Sequence, residues 1–238
     1  MRRFWTTTGV MEGDDGWLVL LDGRPMRTPG GAPFRVPARA VAEAVAEEWA
    51  AAGEAGAEIR LAELVLTRMV ATALDRIAPD PGPTIDALAK YGETDLLCYR
   101  TAHPPELAAR QARAWQPLLD WAALALDAPL VVTSGLAHVV QSPAALAALR
   151  AALARENAFS LAALGVVVPA LGSLVLGLAL AHGRLGPDEA HAIAFLEEAY
   201  QAEQWGKDAE AEARLAGIAA EVTTAHRLMG LARIEAPA

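Results

Sequence analysis

Along the first 36 residues, apolar and polar positions alternate in short runs. Residues 4–10, 17–21 and 24–28 are each bounded by Gly or Asp, the punctuation of strands and tight turns. Leu21-Asp22-Gly23-Arg24 carries the Asp-Gly step that favours a two-residue hairpin turn with positive φ. Thr28-Pro29-Gly30-Gly31 marks another turn, and residues 33–36 read as a returning strand, so a small antiparallel sheet is predicted. The period then changes: Val41, Val45 and Trp49 recur at helical spacing within residues 38–52, and the pattern stays helical from there on. Residues 53–56 form the boundary that composition suggests. The fold class is therefore α+β, with a small N-terminal antiparallel β domain (1–56, with one helix) followed by a larger all-helical C-terminal domain (57–238).

Helices are predicted over residues 61–77, 84–91, 104–126 and from Ser142-Pro143 onward, with a firm break at Ala78-Pro79-Asp80-Pro81-Gly82-Pro83 and a closing helix over 221–231. Residues 94–99 are a short apolar piece of open type, and 130–133 a brief extended segment. Trp49, Trp115 and Trp121 are expected in the core. Residues 158–182 contain no charged side chain and are long enough to span a bilayer. Pro169 divides them, Gly165, Gly172, Gly177, Ser160 and Ser173 are scattered through them, and no aromatic belt or basic cluster flanks them. Two buried helices meeting at Pro169 are expected, with no stable membrane insertion. A membrane-associated subunit using 158–182 is the alternative.

One long helix is predicted over 187–215, opened by Pro187 with Asp188 and Glu189 at the positive end of its dipole. At helical spacing Glu197, Gln201, Trp205, Asp208 and Glu212 share a face, while Phe195, Ala199, Ala202, Ala209 and Ala213 lie on the small-residue side, bordered by Glu203 and Glu210. Gly206 interrupts the helix at a cost of roughly 1 kcal/mol relative to Ala, so a need for the missing side chain is expected there. A tryptophan among carboxylates and amides, opposite the packing stripe, has the composition of a recognition face. A solvated acidic face with Trp205 covering a neighbouring loop accounts for the same residues.

Composition narrows the function. The chain has 238 residues, enough for one large domain or two small ones, and a net charge of −9. Residues 1–39 hold six Arg against four acids (+2), and residues 187–238 four bases against ten acids (−6). With no basic stripe, nucleic acid is not expected as a partner. Cys98 is the only cysteine, so no intrachain disulfide forms and a reducing compartment is expected. Phe4-Trp5-Thr6-Thr7-Thr8 is not the apolar core of a leader, and the cytoplasm is the expected location.

Catalytic signatures do not emerge. There is no Gly-x-x-x-x-Gly-Lys-Ser/Thr loop for nucleotide phosphates, and no βαβ unit follows Gly9, Gly13 and Gly16. Gly172-Ser173-Leu174 lacks the second half of a nucleophile elbow. His103, His138, His182, His191 and His226 are far apart, and none stands at ligand spacing from another His or from Cys98. No catalytic residue, cofactor, nucleotide or metal is expected. An enzyme of unknown chemistry using carboxylates of the 187–215 helix, Glu203 with Asp208 or Glu210, is the remaining catalytic alternative.

Several phrases resemble one known family. They are Leu21-Asp22-Gly23-Arg24-Pro25-Met26-Arg27-Thr28-Pro29; Val36-Pro37 with Ala46-Glu47-Glu48-Trp49; and Tyr91-Gly92-Glu93-Thr94-Asp95-Leu96-Leu97-Cys98-Tyr99-Arg100. Gln111, Trp115, Pro117, Leu118 and Trp121 follow, then Gly172-Ser173-Leu174 and Gln201-Ala202-Glu203-Gln204-Trp205-Gly206-Lys207-Asp208-Ala209-Glu210. Together they resemble the assembly chaperone of F-type ATP synthase that receives the free alpha subunit, the Atp-twelve type. No mitochondrial transit peptide precedes the match, so the bacterial form is expected. The resemblance implies a protein that binds the unassembled alpha subunit and hides its apolar surface until the beta subunit replaces it, without ATP hydrolysis. It gives weight to Gln201, Glu203, Trp205, Asp208 and Glu210 as the partner-binding residues.

Overall fold

The structure is a computed structural model and describes residues 2–54, 56–135 and 137–233. Strands β1 (Thr8–Gly13) and β2 (Gly16–Leu21) pair antiparallel from Thr8↔Leu21 to Gly13↔Gly16. Asp22 and Gly23 then turn the chain at φ 47° and 73°, the left-handed pair that an Asp-Gly hairpin requires. β3 (Arg24–Pro25) returns on β2 through Leu20↔Pro25, and β4 (Arg35–Val36) pairs with the start of β2 through Trp17↔Val36. β2 is thus the central strand, and its Leu18, Val19 and Leu21 are buried. Asp22 also accepts from the N–H groups of Thr7 (2.8 Å) and Thr6 (2.9 Å), which hold its carboxyl below the ordinary carboxylate range.

Helix α1 (Arg39–Ala51) packs on this sheet with Val41, Val45 and Trp49 buried, as their spacing predicts. Trp49 joins three parts of the chain. Its ring lies 4.7 Å from that of Trp5, its carbonyl accepts from Trp5 Nε1 at 3.2 Å, and its own Nε1 donates to Thr67 Oγ1 at 2.8 Å. Beside it, the Glu48 carboxylate accepts the N–H groups of Leu66 and Thr67, each at 2.8 Å. These are orphan donors at the start of α2 (Val65–Thr72), where the helix dipole also favours an anion. One compact unit therefore holds described residues on both sides of 53–56, between residues 2 and 81, and takes in Ala158–Ala163 and residues 224–233.

The second unit comprises Gly82–Asn157 and Leu164–Thr223 and is almost wholly helical. It contains α3 (Gly82–Ala89), α4 (Pro105–Ala125), α5 (Pro143–Leu153) and α7 (Leu174–Ala181), with one short parallel pair, β5 (Tyr99–Arg100) and β6 (Thr133–Ser134). α5 starts as predicted, with the Ser142 hydroxyl accepting from Ala144 N–H at 3.2 Å and Pro143 following. Trp115 is core, Trp49 likewise, while Trp121 is half-buried with its ring edge-on to His182 at 5.8 Å.

Within the apolar stretch, the break falls at Gly172 and Ser173 rather than at Pro169, which lies inside α6 (Ala158–Leu171). Gly172 has φ 65°, and the Ser173 hydroxyl caps α7 by accepting from Leu176 N–H at 3.0 Å. α7 is buried along its whole length, which suits a helix apolar on every face. A Cβ at Gly177 would lie 2.6 Å from Val168 Cγ2, so this glycine permits the close approach of α6 to α7. Among the described residues no helix is long and apolar enough to cross a membrane.

Asp95 secures that break. It is fully buried, and its carboxylate accepts from Ser173 Oγ (2.7 Å), Val175 N–H (3.0 Å) and Leu97 N–H (3.1 Å). Leu96 N–H donates to the Gly172 carbonyl at 3.1 Å, pinning the same two segments. Burial pushes the Asp95 carboxyl up from 3.8 to about 6, against the lowering pull of the hydrogen bonds from Val175, Ser173 and Leu97. Between those values the folded chain holds a proton that the unfolded chain has released. Acidification from pH 7 towards 4 therefore stabilises the fold through this group, by up to about 3 kcal/mol, and the gain is lost as pH rises through the folded value. Asp95→Asn points an amide N–H₂ at a donor and costs about 1–3 kcal/mol at neutral pH. It also removes the titration, so the stability gap between the native chain and the variant should widen from pH 7 to pH 5. Parallel urea midpoints across that range would show that Asp95 titrates alike folded and unfolded.

Candidate functional site

The chain from Pro187 onward is not one helix to residue 215 but three: α8 (Pro187–Ala194), α9 (Leu196–Trp205) and α10 (Ala209–Arg233). Phe195 interrupts the first pair and Gly206 ends α9. Gly206 is not there to make room, since a Cβ at this position would meet nothing within 4 Å. Its backbone, at φ 94° and ψ 165°, is the reason, because that conformation is essentially confined to glycine. Its N–H closes α9 on the Ala202 carbonyl at 3.0 Å. Two residues later Asp208 opens α10, its Oδ1 accepting from Ala211 N–H at 2.7 Å, and Glu210 and Glu212 follow in the first turn.

This break redistributes the predicted face. Gln201, Glu203 and Trp205 close α9, whereas Asp208 and Glu210 begin the next helix, so the five lie around a corner rather than along one stripe. All five are exposed, Trp205 at 81%. The remaining tryptophans are buried or half-buried. Over residues 196–212 there are six carboxylates (Glu197, Glu198, Glu203, Asp208, Glu210, Glu212) against Lys207, a local charge of −5. Lys207 Nζ is itself held by Glu212 at 2.6 Å.

The other side of α9 is fastened to α4. Gln111 is fully buried, accepts from Thr101 N–H at 2.9 Å and donates to Glu197. Arg110 Nη1 meets both oxygens of Glu203 (2.8 and 2.9 Å), its Nη2 reaches Glu106 at 2.8 Å, and its guanidinium lies over the Tyr200 ring at 5.1 Å. Trp115 Nε1 donates to the Ile193 carbonyl at 3.0 Å and so positions the preceding helix. Gln111 and Trp115 thus have structural roles, as does Gln141, which braces Val131 through both its amide atoms (2.8 and 2.9 Å).

Two of the five sequence-selected residues have work inside the fold: Glu203 in the half-exposed Arg110 pair, and Asp208 as a helix cap. Arg110 was missed. Glu106 and Arg110 are legible as an i,i+4 helix pair, but the reach to Glu203 spans 93 residues and exists only once α4 and α9 pack. Chemically the corner offers an exposed indole, an amide and surplus negative charge, the composition of a protein-recognition patch. Among the described residues no group of three or more His, Cys, Asp or Glu is placed to hold a metal. Burial pushes the Cys98 thiol up to about 12, so it is a packed apolar group and not a nucleophile.

Because Gly206 is fixed by its backbone, Gly206→Ala is expected to lower stability by about 1–2 kcal/mol even though the site is open. Thermal melting checks this, and an unchanged midpoint would mean that the chain passes the corner in another conformation.

Comparison with known proteins places this geometry. Residues 2–123 match the family described as ATP12 chaperone protein. The crystal structure of Atp12 from Paracoccus denitrificans is 44% identical, with a TM-score of 0.88 over 98% of each chain. A protein of solved structure from Agrobacterium tumefaciens is 36% identical with a TM-score of 0.88, covering 96% of this chain and 85% of that one. The mitochondrial protein atp12 of Schizosaccharomyces pombe is 27% identical over 216 residues, 86% of this chain and 74% of that protein. By the family match and the likeness to Paracoccus Atp12 along nearly its whole length, this chain belongs to the ATP12 chaperone family.

Proposed function

We propose that this chain is an assembly chaperone for the catalytic head of F-type ATP synthase, acting in the cytoplasm on the unassembled alpha subunit. It covers the apolar surface by which alpha later meets beta, and gives way when beta arrives. No nucleotide enters this cycle and no bond is made or broken. Family membership supports the chaperone role, and the phrases around Asp22, Asp95 and Trp205 support the choice of client.

The observation that carries the choice of surface is Trp205, left 81% exposed at a backbone corner that only glycine provides. A tryptophan held in water retains a large apolar area for a partner, and Trp is among the residues that most often dominate binding energy. Gln201 and Glu210 flank it without deep burial, and Glu203 and Asp208 add negative charge. Carboxylates around the indole favour a client surface with arginine or lysine and speed encounter, an effect that weakens with salt. Contacts of this kind give way readily to a partner that buries more apolar area, which is what displacement by beta requires.

Trp205→Ala should leave the melting temperature nearly unchanged and weaken the complex with purified ATP synthase alpha subunit by about thirtyfold, the size of a 2 kcal/mol hot spot. Glu210→Lys should weaken it by about tenfold at low ionic strength and by less in added salt. Isothermal titration reads both. Undiminished affinity in the two variants would move the contact elsewhere, and no complex with the native chain would remove alpha as the client.

A further inference from the structure

The first unit carries a second surface, opposite in charge to the α9–α10 corner. A groove of about 560 Å³ opens between the β3 hairpin and α2, within the size range of sites that enclose a drug-sized molecule or a few side chains. Met26, Phe34 and Trp49 are buried in its lining, and Phe4 (71% exposed) and Leu61 (52%) continue the apolar surface out to solvent. Its lining is mostly apolar with a few polar groups, the make-up of sites that take a ligand or a peptide side chain.

The charged side chains lining the groove are Arg24, Arg27 and Arg68, and no carboxylate is among the lining residues. Arg27 donates to the Gly31 carbonyl at 2.7 Å and Arg68 to the Ala62 carbonyl at 3.0 Å, neutral acceptors that leave the positive charge in place. Arg24 feels Asp22, whose carboxylate is already taken by the N–H groups of Thr7 and Thr6. In a chain of net charge −9, the groove's own lining carries charge on three arginines, while Glu48 and Asp75 beside it accept from Thr67 and from Gly30 N–H.

We infer that this groove takes an extended protein segment in which large apolar side chains are flanked by aspartate or glutamate. The apolar side chains enter against Met26, Phe34 and Trp49, and the carboxylates meet Arg24, Arg27 and Arg68, whose guanidinium forks match carboxylate geometry. Phe4 and Leu61 extend the apolar lining beyond the mouth, which suits a chain crossing the groove better than a small amphiphile enclosed in it. This rests on the reading of the protein as a chaperone for an unassembled subunit, and gives it a second contact of opposite sign.

The test uses the full chain and a fluorescein-labelled peptide of Leu and Phe flanked by Glu, beside two controls: Lys in place of Glu, and Ser in place of the apolar residues. Anisotropy should show saturable binding of the first, with both controls at least about tenfold weaker. Arg27→Glu and Arg68→Glu should each weaken the acidic peptide by about tenfold while circular dichroism and melting stay unchanged. Leu61→Ser, at an exposed position, should weaken it without altering any charge. Equal binding of the three peptides, or oleate binding in their place, would overturn the inference. The same variants are then titrated with purified ATP synthase alpha subunit. Native-like alpha binding by all three would overturn the groove as a client contact and leave the chaperone reading standing. Peptide binding by a native chain that forms no complex with alpha would do the reverse.

Discussion

Asp95 holds a carboxylate out of water at a cost of several kcal/mol, and the second unit is arranged so that much of this cost is offset. Ser173 Oγ, Val175 N–H and Leu97 N–H converge on it from the two chain segments that it joins. Val175 is one of the orphan donors at the start of α7, so the anion and the helix end satisfy one another. Ser173 serves twice, donating to Asp95 and accepting from Leu176 N–H as the helix cap. The phrase Thr94-Asp95-Leu96 and the phrase Gly172-Ser173-Leu174, 78 residues apart at Asp95 and Ser173, are therefore the two halves of one contact. With α7 placed and Gly177 open to Val168, the apolar helices close on one another.

The first unit uses the same device in a wetter setting. Glu48 caps α2 from the end of α1, and Trp49 beside it bonds Thr67 and packs its ring, tilted by 57°, against Trp5. A carboxylate at a helix start and a tryptophan with its N–H satisfied fix the helix against the sheet. Met26, Phe34 and Trp49 then line the arginine-edged groove between the hairpin and α2, so the residues that make the packing also make the surface.

At the α9–α10 corner the division of labour lies within one short stretch. Glu197 and Glu203 face α4 and hold α9 in place, Gly206 turns the chain, Asp208 starts the next helix, and Trp205 is left in solvent. The anchoring groups fix the backbone from which the tryptophan projects, so that on binding only its own side chain has to be ordered. On the proposed reading, contact made through one aromatic and diffuse charge would form quickly and be displaced without unfolding either partner.

Local chemistry by itself determined much of this protein. Asp22-Gly23 demanded a left-handed hairpin turn, Val41, Val45 and Trp49 demanded one buried helix face, and Ser142-Pro143 announced a helix start. The small sheet followed by helices was legible for the same reason: alternation and helical period are properties of neighbouring residues. Where the outcome depends on residues distant in sequence, the local pattern does not contain it. Pro169 looked like the break because proline lacks an N–H, but Asp95 selected Gly172-Ser173 instead. Gly206 looked like a space for a neighbour, and proved to be a backbone conformation. Glu203 looked free for a partner until Arg110 arrived from α4. The Arg24, Arg27 and Arg68 groove had no signature in the sequence, because Arg68 comes from α2 and meets the hairpin only in the folded chain. Turns and helix faces are settled over a few residues, whereas caps, ion pairs and grooves are settled by which segments tertiary packing brings together.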